Sequence, residues 1–248
     1  MTKVVTFAVI VTFLITCVPA PSQEASPSPV LIELFTSEGC SSCPPADALL
    51  RELSQGKGKN SAPAIVLGEH VDYWNHGGWK DRFSDARFTD RQNAYVEHFH
   101  LASPYTPQMV IDGHLQLVGN DRAGVYRSVD TAASVAKPAK VTLQWTADKL
   151  HVAVQAPAGS KADVMLAVTE DSLSTAVRNG ENEGRTLQHA GVVRQLHVLG
   201  KVKDGQYEAA LPVSVANDWN PANLKVVVFV QQPGPGPVLG AASVPYQH

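Results

Sequence analysis

The sequence predicts an α/β domain over residues 30–136, followed by a small antiparallel β-sandwich-like domain over residues 137–248. The first observation is an apolar run that ends in a turn carrying Cys40 and Cys43 and continues into a helix-like segment. The second is another apolar run after that segment, which completes a strand, helix, strand unit with a crossover helix. The third is a change after residue 137 to short segments of alternating apolar and polar residues separated by Gly, Pro and Asn.

The elements of the first half follow in order. Val30 to Phe35 leaves little polar surface, which is typical of a central strand covered on both faces. The next segment, Pro44 to Leu53, has prolines only in its first turn and leucines on one face, which predicts a helix. The remaining elements are a strand, a helix capped by Ser84, a hairpin around an Asp-Gly turn and a closing helix, at residues 63–72, 84–99, 108–119 and 123–136.

The second half reads as strands throughout. Its segments alternate apolar and polar residues, as expected when one face of a sheet is buried. The predicted strands are residues 141–145, 150–154, 163–169, 192–199, 207–213 and 224–230.

The N-terminus has the pattern of an export signal. A basic start, an apolar core and a small-residue cleavage pattern predict a signal peptide over residues 1–20, and residues 21–29, rich in Pro and Ser, read as a flexible mature N-terminus. The apolar run is shorter than the roughly 20 residues that span a bilayer, so we expect a periplasmic or secreted protein without stable membrane insertion. The alternatives are a retained anchor and lipidation at Cys17.

Composition excludes several classes of protein. The formal net charge of −3 gives no basic surface for nucleic acid, and no nucleotide, flavin or phosphate motif appears, so we expect no nucleic-acid partner and no cofactor. Three cysteines are present and one lies in the predicted signal, which leaves a single pair.

That pair, Cys40 and Cys43, suggests redox chemistry. A disulfide across so short a loop removes little entropy from the unfolded chain, which makes it a weak structural staple. At a helix N-terminus, free backbone N–H groups and the helix dipole stabilise a thiolate. Pro44 and Pro45 remove two of these donors and disfavour helical geometry at Cys43.

Two alternatives remain for the cysteines. One is an inert structural disulfide. The other is Cu(I) binding, because two thiolates suit this ion and His70, His76 or His114 can supply a third ligand. Zinc requires four ligands, which no Cys/His spacing supplies. The primary prediction is therefore that the protein has no metal site.

The order of strand, C-x-x-C, helix and strand, followed by Thr106-Pro107 before a hairpin, resembles the thioredoxin fold. The resemblance implies that Cys40 is the attacking thiol and Cys43 the resolving thiol. It also implies that Pro107 is a cis-proline and that Thr106 offers backbone hydrogen bonds to an extended substrate.

A closer resemblance is to a family of secreted bacterial proteins of unknown function with a thioredoxin-like domain. Members carry E-L-F-T-S-x-G-C-x-S-C-P-P-A-D, here Glu33 to Asp47, and Y-T-P-Q, here Tyr105 to Gln108. They also carry G-R-T-L-x-H followed by V-V-R, here Gly184 to His189 and Val192 to Arg194. This resemblance implies a fold and a compartment more than an activity.

Further polar and aromatic residues are candidates for the site. Trp74 follows the second strand, at the edge where ligands of parallel sheets bind, so we predict that it lines a substrate groove together with Tyr105, Thr106 and Pro107.

Glu33 lies one residue before the position at which thioredoxins carry a buried acid, so it is either a proton relay or a paired structural acid. In the second half, Arg185, His189 and Arg194 form either an anion site or a polar cluster that joins the domains.

Together these residues predict an exported thiol-disulfide oxidoreductase that acts on protein disulfides and is served by a redox partner not identified by the sequence. The alternative is a copper-binding or scaffold protein built on the same fold.

Overall fold

The computed structural model describes residues 28–56 and 63–247. The predicted signal peptide (residues 1–20), Cys17 and most of the predicted mature N-terminus (residues 21–29) lie outside the described residues. Within the described ranges, no helix combines the length and the apolar character that crossing a membrane requires.

The first half contains every element that the sequence predicts. These are β1 (Val30–Thr36), α1 (Pro44–Ser54), β2 (Ala64–His70), α2 (Ala86–His98), β3 (Gln108–Ile111), β4 (Leu115–Val118) and α3 (Arg122–Ala133). The second half contains β5 (Lys140–Thr146), β6 (Lys149–Gln155), β7 (Asp163–Glu170), β8 (Leu173–Ala176), β9 (Thr186–His189), β10 (Val192–Lys201), β11 (Gln206–Leu211), β12 (Leu224–Gln231) and β13 (Val238–Pro245).

A large mixed sheet organises the chain, which confirms the α/β class. Its strand order is β13-β12-β7-β10-β2-β1-β3-β4, with β1 parallel to β2 and antiparallel to β3. The two halves meet where β2 and β10 run parallel, at the pair Gly68 and Val192, and Gly68 N donates to Gly191 O over 2.7 Å. One sheet therefore contains strands from both sides of residues 136/137. The domain boundary at this point stays a prediction.

Helices cover both faces of the β1–β2 region. Apolar side chains of α1 and α3 pack on one face, against Ile32 and Leu34 of β1. Phe88 of α2 packs on the other face, against Leu31 and Leu67. Successive residues of a strand point to opposite faces, so odd and even positions of β1 contact different helices.

In the second half, two antiparallel layers pack face to face. The three-stranded sheet β11-β6-β5 places Leu150, Val152 and Val154 on the apolar face of β7 and β12. Strands β8 and β9 pair only with each other among the described strands and form a hairpin against α1.

Helix α1 begins at Pro44, the first residue of the predicted helical segment. Cys43 N donates to Cys40 O over 3.2 Å, and this turn holds Cys43 in helical geometry despite the following proline. Pro44 and Pro45 occupy the first helical positions, where an N–H has no partner within the helix.

Candidate functional site

The two cysteines form a disulfide between β1 and α1. Cys40 and Cys43 are bonded with their Cα atoms 5.4 Å apart, and neither residue is exposed to solvent. The intervening Ser41 and Ser42 are exposed. Since Cys43 immediately precedes the first residue of α1, the disulfide lies at the positive end of this helix.

Thr106 contacts the disulfide, and Trp74 contacts Thr106. The Thr106 hydroxyl donates to Cys40 Sγ over 3.3 Å and accepts from Trp74 Nε1 over 2.8 Å. Ser42 Oγ donates to the Thr106 carbonyl over 3.4 Å. The Thr106–Pro107 peptide bond is cis, which confirms that prediction. The structure therefore brings Trp74, Thr106 and Pro107 together with the disulfide.

Tyr105 contacts neighbouring strand and helix residues. Its hydroxyl donates to Gln116 of β4, and its carbonyl accepts from Gln92 of α2 over 2.8 Å. Burial raises the pKa of Tyr105 to about 12. Through these contacts Tyr105 fixes the backbone that precedes Thr106.

Glu33 lies on the face of β1 opposite to α1. Its carboxylate accepts from Arg91 Nε over 2.6 Å and from the Tyr95 hydroxyl. Arg91 also lies 3.6 Å from Glu69, and burial together with the Glu33 charge raises the pKa of Glu69 well above its usual range. The structure places Glu33 in this buried ionic group, whereas Ile32 and Leu34 of the other face pack with α1.

A second group of buried polar side chains lies beside the cysteine loop, and its members are too far apart in the sequence to be recognised as a group. Glu38, two residues before Cys40, accepts from Trp79 Nε1 over 2.9 Å and lies 3.2 Å from His189 Nε2. His189 therefore joins the second half to the cysteine loop. For His189, this confirms the expectation of a polar cluster that joins the two halves.

His70 and Asp81 form the next part of this group. His70 Nδ1 lies 2.6 Å from Asp81 Oδ2, and the His70 ring lies edge-on to His189 at 4.9 Å. Burial alone would disfavour the charged imidazole, but the carboxylates of Asp81, Asp47 and Glu38 together raise the pKa of His70.

Asp47 extends the group to within one helical turn of Cys43. Its backbone N–H donates to Cys43 O over 3.1 Å, and residues four apart share one face of a helix. Its Oδ1 accepts from Thr36 over 2.9 Å, but its Oδ2 is buried without a partner, as is Nδ1 of His189. Burial raises the pKa of Asp47, although His189 and His70 oppose this. The spacing from Cys43 was the signal that sequence reasoning passed over.

The connection between β8 and β9 reaches the cysteine loop from the second half. Asn182 donates through its side-chain amide to Glu38 O at 2.9 Å and to Cys40 O at 3.0 Å. The carboxylate of Glu181 accepts from Ser41 N over 2.9 Å. Ser41 and Glu181 are 140 positions apart, and no local sequence pattern indicates contacts over such a separation. These contacts could therefore not be predicted.

The three histidines considered as copper ligands lie in different surroundings. His70 is buried against Asp81, while His76 and His114 are exposed. In the parts of the chain that the structure describes, no group of three or more His, Cys, Asp or Glu is arranged to hold a metal ion.

The fold and the site define an α/β protein with a large mixed sheet and a buried C-x-x-C disulfide at the start of a helix. The chain belongs to the family DUF1223, described as a protein of unknown function, which matches residues 31–231. No curated protein shows significant similarity.

Two solved structures are similar to this chain over most of its length. The crystal structure of protein AGR_C_4864 from Agrobacterium tumefaciens has 28% identity and a TM-score of 0.74, covering 92% of this chain and 100% of that one. HBP35 of Porphyromonas gingivalis has 15% identity and a TM-score of 0.69, covering 89% of this chain and 76% of that one. At that identity the second likeness concerns the fold alone.

Proposed function

We propose that this protein is an exported thiol-disulfide oxidoreductase whose redox pair is Cys40 and Cys43. The observation that carries the proposal is the contact of the Thr106 hydroxyl with Cys40 Sγ, next to the cis Thr106–Pro107 bond. A hydroxyl donor on this sulfur stabilises a thiolate, which is the attacking species in thiol-disulfide exchange. The export pattern of residues 1–20 supports a compartment in which disulfides form and persist.

We further propose that residues 30–136 form a thioredoxin-like domain. The proposal is supported by the order of β1, α1, β2, α2, β3, β4 and α3, and by the pairing of β1 with a parallel β2 and an antiparallel β3. The antiparallel β3–β4 hairpin directly follows Pro107. In such a domain, Trp74, Tyr105, Thr106 and Pro107 form the substrate-binding edge beside the cysteines.

The reaction transfers two electrons to a disulfide of a protein substrate. The Cys40 thiolate attacks one substrate sulfur, which forms a mixed disulfide and releases the first substrate thiolate. Cys43 then loses its proton and attacks the Cys40 sulfur, which restores the Cys40–Cys43 disulfide and releases the second substrate thiolate. A partner protein carrying a dithiol reduces the pair again by the same exchange.

In this scheme Asp47 accepts the Cys43 proton. Asp47 follows Cys43 by one helical turn, and its Oδ2 is buried without a hydrogen-bond partner. A base with a raised pKa is better matched to a thiol than an ordinary carboxylate is. Glu33 was the candidate from sequence, but it is engaged by Arg91 on the other face of β1.

The proposal is tested by reduction of insulin disulfides with dithiothreitol as electron source. We expect the mature wild-type protein to accelerate the reaction and a Cys40→Ser variant to have no activity above background. Reduced Cys43→Ser, freed of dithiothreitol and then mixed with a disulfide substrate, should accumulate the mixed disulfide, visible as a shift on a non-reducing gel. Full activity of Cys40→Ser would refute the proposal.

A further inference from the structure

Cys40 is fully buried, at 0% exposure, although the next two residues are exposed. Thiol-disulfide exchange requires the incoming sulfur to approach the sulfur that it attacks. A protein substrate therefore cannot reach Cys40 in the described conformation. Part of what encloses this cysteine has to move before the proposed reaction can occur.

Residues 178–185, in the connection between β8 and β9, contact the cysteine loop from the second half. Asn182 is itself 0% exposed within a polar, largely exposed segment. Its amide bridges two carbonyls, those of Glu38 and Cys40, and Glu181 accepts from Ser41 N. A buried amide requires hydrogen-bond partners, and these two carbonyls satisfy both of its donors.

Within the described residues, the hydrogen bonds between residues 178–185 and the first half all involve Asn182 or Glu181. Strands β8 and β9 have four residues each and, in the described chain, pair only with each other. The hairpin itself packs on α1, and His189 of β9 contacts Glu38, so opening concerns the connection between the two strands. Most residues of this connection are exposed, and segments with few buried contacts open at low free-energy cost. Gly180 and Gly184 have positive φ values of 81° and 80°, conformations that glycine adopts without steric cost.

We infer that residues 178–185 are a movable cover over the disulfide and that Asn182 holds the cover closed. The inference rests on the proposed function. A partner that reaches Cys40 must displace the cover, so proteins that contact residues 178–185 as well as the cysteines react faster than general disulfide substrates. The second half of the chain thereby contributes to substrate selection by the first half.

The test is the rate at which dithiothreitol reduces the disulfide of the folded protein, followed by alkylation and mass shift. In this reaction the reagent's dithiol closes to a cyclic disulfide, and two electrons and two protons pass to Cys40 and Cys43. We expect Asn182→Ala to be reduced at least tenfold faster than wild type, and the Ser41 amide to lose protection from hydrogen exchange. Asn179→Ala is a matched control, because Asn179 is an exposed asparagine in the same segment, and its rate should stay within twofold.

Asn182→Ala can also accelerate reduction by loosening the whole fold, so a second variant is needed. Glu181→Ala changes an exposed side chain and removes only the acceptor of Ser41 N. We expect it to speed reduction severalfold with an unchanged urea midpoint. Rates of both variants within twofold of wild type would overturn the inference. Because dithiothreitol reports access alone, a failure of the proposed function would appear separately, as absent insulin reduction by every variant.

Discussion

Replacing Asp47 by Asn separates a catalytic role from a structural one. Asn has nearly the same shape, can still accept from the Thr36 hydroxyl at 2.9 Å and cannot accept a proton at its side chain. Asp47 is only 6% exposed and its Oδ2 has no partner, so its ionised form is costly to bury. An unsatisfied buried polar group costs about 1–3 kcal/mol, and more when charged.

The pKa of Asp47 gives the sign of the stability effect. Burial raises this pKa in the folded state, so the folded protein binds the proton more tightly than the unfolded chain. Wild-type stability from this residue therefore falls as pH rises from about 3.9, the usual pKa of Asp, through the folded-state pKa. Asn removes the titration. We expect Asp47→Asn to be about 1–3 kcal/mol more stable than wild type at pH 8 and nearly equal to it at pH 4.

Activity should change in the opposite direction. Loss of a positioned base typically costs about 10²–10⁴ in rate, so we expect the mixed disulfide to resolve at least about 100-fold more slowly in Asp47→Asn. The assay is rapid mixing of reduced protein with a peptide disulfide, quenched with acid and read by mass spectrometry. The pH dependence of the resolution rate should also lose the step due to Asp47. Wild-type rates with an unchanged pH profile would refute the role of Asp47.

Two further predictions concern buried charges. Arg91→Met should lower the free energy of unfolding by about 3–5 kcal/mol, because it leaves buried carboxylates without their charged partner. Arg87→Met is the control: this residue lies one turn earlier, its side chain is 61% exposed, and its replacement should cost about 1 kcal/mol or less. Equal losses in urea unfolding would contradict this. The pKa of His70 is raised beside Asp81, so protonated His70 stabilises the fold below pH about 6.5, and this contribution is lost as pH rises through the folded-state pKa. His70→Asn should therefore flatten the fall in the free energy of unfolding between pH 6 and 9. An unchanged slope would refute this prediction.

Local signals explain why much of the first half could be predicted. The hairpin between β3 and β4 turns at Asp112 and Gly113, whose φ values of 49° and 67° suit the Asp-Gly pair. The cysteine loop and the cis bond before Pro107 could likewise be predicted, because a C-x-x-C spacing and an X-Pro pair are visible in the sequence itself. Helix α2 begins after Asp85, whose side chain accepts from Arg87 N, instead of after the predicted cap Ser84. Neighbouring residues of similar capping ability make such shifts of one residue common.

Long-range pairing explains what the sequence could not reveal. Strands β8 and β9 are too short for their alternation to stand out, so the segment that carries Asn182 was not predicted to reach Cys40. The contact of β2 with β10 brings the backbones close together at Gly68, where a Cβ would lie 3.3 Å from Ala190 O. These contacts join residues far apart in the chain, and no local pattern encodes them.

The central claim is that Cys40 and Cys43 are a working redox pair. The most direct test is the thiol state of the mature protein across a series of glutathione redox buffers, approached from both the reduced and oxidised protein until the two agree. Alkylation and mass shift give the fraction of each form. We predict a reversible two-electron transition with a midpoint between about −270 and −120 mV, the range of known oxidoreductases. A disulfide that stays closed throughout, as structural disulfides below about −300 mV do, would contradict the account.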